Sequence, residues 1–246
     1  MPAPLKTDEI TYLRDGDVLR GYAAWPAAAD SLPAIVLIPD VRGLYDHYRE
    51  VARRFAGEGF FTLAVDLYSR EGAPDFPDMA AVFKWIRELP DRRVLADLEA
   101  AVSYLASRPE VRRTAVGVTG FCMGGQYALM AACTVPRLAA CVSWYGMLRY
   151  AETDEVKPES PLSMAPRLNC PYLGLFGEED AIIPAADVEE LRSILQREGK
   201  RFEIKSYPGA GHAFFNDTRA DAYRAEAAAD AWSRCLSFFR RHLGMR

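Results

Sequence analysis

Five apolar runs punctuate the chain: "LPAIVLIP" from Leu32, "FFTLAVDLY" from Phe60, "TAVGVTGF" from Thr114, "LAACVSWYG" from Leu138 and "CPYLGLFG" from Cys170. Each is too short and too continuously apolar for a half-exposed strand, so each is expected to be buried on both faces. Between them lie helical patterns. From Tyr45 to Glu58, Tyr48, Val51, Ala52 and Phe55 share one face with arginines opposite, and Gly59 closes the segment. Two helical stretches follow "SREGAPDFPD", the second over about 91–107, and others follow at "GGQYALMAACT", at 184–199 and at about 218–242. Strands alternating with helices require right-handed crossovers, and hence a mostly parallel sheet with helices on both faces. Upstream, "ITYLRDGDVLRGYAAWP" is expected to form a hairpin turning at Asp15 and Gly16. "RFEIKSYP" adds a sixth strand after the five.

No repeat, low-complexity tract or linker divides the 246 residues, so one domain over 1–246 is expected. The polar, Pro-rich segment 149–166 is expected to be a loop or cap. A net charge of −4 gives no basic footprint for nucleic acid or anionic membranes, and the first residues lack a signal-peptide core. The five cysteines are scattered, without metal-ligand spacing, which points to a reducing cytosol and to no metal or cofactor. A monomer acting on a small molecule is expected.

Open α/β sheets collect functional groups beyond the carboxyl ends of their strands. Applied here, that rule brings together Asp40, Cys122, the carboxylates Glu178, Glu179 and Asp180, and His212 on the turn "GAGH". In "GFCMGG" a strand meets a helix at Cys122. Such a corner lifts its side chain off the sheet, and Gly120 and Gly124 relieve the crowding on either side. The helix N-terminus then favours a thiolate. The order nucleophile, acid, histidine is that of α/β-hydrolases. His212 would relay protons with a carboxylate orienting its ring, and the N–H groups of Met123 and Val41 would hold an oxyanion. Cys133, Cys141, Cys170 and Cys235 lie in apolar runs and are expected to be inert core, whereas His47 and His242 are expected at the surface. A dinucleotide site is excluded, because "GFCMGG" lacks the glycine spacing and follows the wrong strand.

The chain resembles the dienelactone hydrolase family, the carboxymethylenebutenolidase-like branch of the α/β-hydrolases. The resemblance lies in "FFTLAVDLYSR", "GFCMGG", "GEEDAIIP" and "GAGHAFFND", in that order. It implies the α/β-hydrolase fold and a triad of Cys122, His212 and Asp180 that hydrolyses a carboxylic ester or lactone through a thioester, without a cofactor. Two positions depart from the family pattern. Asp40 stands where the family has a Glu that pairs with the resting thiol, and Asn216 stands where an arginine clamps the substrate carboxylate. Arg42 and Arg219 are the candidate replacements, and Tyr145 and Phe214, near strand ends, are further candidate substrate contacts. Two alternatives stand beside this reading. One is a hydrolase-like protein that binds a ligand without turnover; the other is a hydrolase acting mainly on thioesters or activated phosphoesters.

Overall fold

The computed structural model describes residues 4–28 and 30–245. Its sheet has eight strands: β1 (Leu5–Arg14), β2 (Asp17–Pro26), β3 (Leu32–Ile38), β4 (Phe61–Asp66), β5 (Val111–Phe121), β6 (Ala140–Trp144), β7 (Tyr172–Gly177) and β8 (Phe202–Tyr207). They are ordered β1-β2-β4-β3-β5-β6-β7-β8. β1 pairs antiparallel with β2, and β2 with β4, while every later pair is parallel. All seven residues of β3 are buried, as are the strand residues of β6 and β7, which accounts for the absence of polar alternation in these runs. By contrast β8, at the sheet edge, keeps the charged Glu203 and Lys205.

The helices are α1 (Asp46–Gly57), α2 (Met79–Glu88), α3 (Asp91–Ser107), α4 (Met123–Thr134), α5 (Pro161–Met164), α6 (Ala185–Arg197) and α7 (Ala225–His242). α4 is buried from Met123 to Cys133 and packs on β5 and β6, so its N-terminus is held at the carboxyl end of β5.

Two expectations change. The last helix begins at Ala225 rather than near 218, because Asn216 Oδ1 accepts the backbone N–H and hydroxyl of Thr218 and stabilises turns before the helix. His47 is buried, not at the surface. Its Nδ1 lies 3.3 Å from Asp217, and its ring packs against Tyr45 and Tyr48. Desolvation is the main influence on its pKa, which is lowered so that the ring favours the neutral form. Segment 149–166 is a loop as far as Ser160 and then forms α5, which packs on α4; the cleft over the strand ends is lined by α2 and the residues before it.

Candidate active site

Cys122 occupies the corner between β5 and α4 with φ 56° and ψ −119°, a conformation that costs a non-glycine residue free energy and is seen where a side chain must be presented. The glycines that frame it are sterically required. A Cβ on Gly120 would stand 2.0 Å from the carbonyl oxygen of Gly124, and one on Gly124 would stand 2.2 Å from that of Ile38. The N–H of Cys122 donates to the carbonyl of Trp144 at 3.0 Å, tying the corner to β6. Cys122 is partly exposed, and the other four cysteines are buried. Desolvation pushes the thiols of Cys133 and Cys170 up to about 12, and those of Cys141 and Cys235 well above the usual range.

His212 follows β8 on its Gly-rich turn. Its Nδ1–H donates to Asp180 Oδ2 at 2.8 Å, while Asp180 Oδ1 accepts the N–H groups of Ile182 and Ile183. The carboxylate thus fixes the ring tautomer and is itself fixed by the loop after β7. Burial works against a charge on His212, but the Cys122 sulfur and then Asp180 outweigh it and raise the imidazole pKa to about 10. Nε2 is buried and has no well-formed hydrogen bond among the described residues.

The N–H groups of Met123, at the head of α4, and of Val41, after β3, have no acceptor among the described residues. Tyr68 closes over this loop, donating its hydroxyl to the carbonyl of Val41 at 2.7 Å. Asp40 Oδ1 accepts the N–H of Arg42, and Oδ2 accepts from the Arg42 guanidinium at 2.9 Å and from the Tyr45 hydroxyl. Arg42 also lies over the Tyr45 ring and contacts its hydroxyl. Asn216 is buried and donates to that same hydroxyl at 2.9 Å, behind the arginine. The Asp40 carboxylate is therefore engaged by Arg42 and Tyr45.

A cleft of about 390 Å³ opens above Cys122 and His212. Four of the candidate site residues, Asp40, Arg42, Tyr145 and Arg219, line it. Tyr145, at a φ of 39°, sets its ring edge-on to His212 with centroids 5.2 Å apart. Phe214 is fully buried and packs behind Tyr145, so it supports the wall without lining it. Arg219 also pairs with Asp221. Several lining residues escape sequence reasoning, among them Phe76, Phe83, Met147 and Gln126. Phe83, whose neighbour Met79 also lines the cleft, belongs to α2, which reads as an ordinary amphipathic helix. Gln126 also lines the cleft, and its signal was present: a polar side chain in a helix otherwise apolar on every face.

A strand-to-helix corner, a facing histidine and its carboxylate, carried on this strand order, define an α/β-hydrolase. The model of the dienelactone hydrolase family matches residues 19–243, and the chain belongs to that family. It is 38% identical over 234 residues to a "Putative carboxymethylenebutenolidase" of Salmonella typhimurium, covering 94% of this chain and 86% of the relative. It is 37% identical over 229 residues to a "Probable 2-oxo-3-(5-oxofuran-2-ylidene)propanoate lactonase" of Bradyrhizobium, covering 93% and 92%. Among solved structures, a "Putative Dienelactone Hydrolase" from Klebsiella pneumoniae superposes with a TM-score of 0.92 at 36% identity, covering 97% of this chain and 99% of that one.

Proposed function

We propose that this protein hydrolyses carboxylic esters or lactones with Cys122 as nucleophile, His212 as proton carrier and Asp180 as the group that orients it. The observation that carries the reading is that a strained, partly exposed Cys122 at a helix N-terminus lines the same cleft as a histidine already oriented by a buried carboxylate. The raised pKa of His212 supports a charged imidazolium at neutral pH, ready to give its proton to a leaving group.

In the first half-reaction the sulfur attacks the acyl carbon, and the N–H groups of Met123 and Val41 receive the developing oxyanion. Losing one such donor should cost about 3 kcal/mol of transition-state stabilisation. Collapse expels the alkoxide, which takes the Nε2 proton of His212, and the acyl group remains on sulfur as a thioester. The neutral imidazole then removes a proton from water as the water attacks that thioester. Collapse of the second intermediate releases the acid and restores the resting enzyme. For a lactone the alkoxide and acid are two ends of one product.

In this reading Asp40 anchors Arg42 at the cleft, where the guanidinium, together with Arg219, would attract an anionic substrate group. The name of one relative, a "Probable 2-oxo-3-(5-oxofuran-2-ylidene)propanoate lactonase", supports the substrate class. Five free thiols fit a reducing compartment such as the cytosol, and among the described residues no helix is long and apolar enough to cross a membrane.

The test is a panel of p-nitrophenyl esters and small lactones with native protein and Cys122→Ala. Turnover by the native protein that disappears in the variant is expected, and equal rates would overturn the reading. Ligand-induced stabilisation without turnover would instead assign a binding protein.

A further inference from the structure

Behind the cleft lies a buried polar chain that the proposed reaction does not use. Lys157 Nζ donates to Asp91 Oδ1 at 2.6 Å and to the Tyr127 hydroxyl at 2.9 Å, and that hydroxyl donates to the same Oδ1 at 2.8 Å. Tyr150 donates its hydroxyl to Asp91 Oδ2 at 2.9 Å. Its proton being committed, the Tyr150 oxygen is an acceptor toward Gln126, whose Nε2 donates to it at 2.6 Å. This chain fixes which way the carboxamide points: its donor end faces inward to Tyr150, leaving Oε1 over. Gln126 is wholly buried, lines the cleft, and has no partner for Oε1 among the described residues.

A buried acceptor without a partner is costly, and it is tolerated at sites where a ligand completes it. We propose that Gln126 Oε1 is a specificity-determining acceptor for a hydroxyl group carried on the acyl chain of the substrate. The placement follows from the proposed hydrolysis, on which the inference rests. The leaving oxygen must face His212 to receive its proton, so the acyl chain takes the α4 side of the cleft, and Gln126 stands about one helical turn beyond Cys122. Tyr150 is a positioning residue that acts through the carboxamide. The substrates selected are hydroxy-acyl esters and lactones, whose hydroxyl donates to Oε1.

The experiment compares kcat/KM for p-nitrophenyl butyrate with those for the 2-hydroxybutyrate and 3-hydroxybutyrate esters, in native protein and Gln126→Leu. Comparing the hydroxy-to-unsubstituted ratio between proteins cancels each ester's own reactivity. The ratio should fall about tenfold in the variant for one of the hydroxy esters. Ratios within about twofold of native for both hydroxy esters would overturn the proposal. Should Gln126→Leu fail to fold, Tyr150→Phe decides in its place, because it frees the carboxamide to turn while Lys157 and Tyr127 still hold Asp91. The same loss of selectivity is expected, with the fall appearing in the hydroxy esters and not equally in butyrate, and an unchanged ratio would overturn the proposal. Ester turnover that survives Cys122→Ala would instead remove the cysteine mechanism, so the two failures are distinguishable.

Discussion

Asp180 divides its carboxylate between two tasks: Oδ2 holds His212 Nδ1 at 2.8 Å, and Oδ1 receives the N–H groups of Ile182 and Ile183. One oxygen orients the ring and the other orders the loop that carries it. The two tasks separate in Asp180→Asn. An asparagine whose Oδ1 stays on the loop turns its NH₂ toward His212, which forces the proton to Nε2. Turnover should fall at least about a hundredfold, while the thermal midpoint changes little because the loop keeps its acceptor. A fall in stability matching the fall in rate would show that Asp180 is structural only.

The charge state of His212 supplies a second prediction. Burial lowers its pKa, while the Cys122 sulfur and Asp180 raise it, for a net rise to about 10. Because the folded value lies above the unfolded one of about 6.5, the stabilisation is fully present below that pH. It fades as pH rises through about 10. Acylation should fail over the same alkaline range, as the imidazolium that protonates the leaving group is lost. Removing the sulfur in Cys122→Ala should move the His212 titration, followed by NMR, toward neutrality. An unmoved titration would mean that the thiol and ring do not interact.

Asp40 is engaged by Arg42 and Tyr45. In Asp40→Asn the guanidinium loses its counter-charge but the cleft keeps its shape. For an anionic ester, kcat/KM should fall by roughly tenfold as Arg42 loses its anchor, and for a neutral ester by much less. Equal effects on both esters, accompanied by a shifted pH–rate profile, would place Asp40 on the thiol proton instead.

Much of this was legible in the residues. Uninterrupted apolar runs betrayed the doubly covered strands, and the glycines around Cys122 betrayed the corner, since both are consequences of local sterics. The match of α3 to the expected span over 91–107 reflects the prolines that flank it, Pro90 and Pro109. What stayed hidden depends on distant partners. His47 is buried because Asp217, far along the chain, comes to meet it. The lining role of Phe83 depends on where the loop before α2 lands, and the engagement of Asp40 on rotamers of Arg42 and Tyr45. The late start of α7 turned on one Asn216 side chain competing for backbone donors.

The central claim is that a covalent bond forms at Cys122 during turnover. Intact-protein mass spectrometry within the first turnover of a slow ester tests it most directly. The native protein should gain the mass of the acyl group, with the adduct mapping to the peptide that contains Cys122, and Cys122→Ala should gain nothing. Turnover by native protein with no adduct at any time, or the same adduct on the alanine variant, would contradict the account.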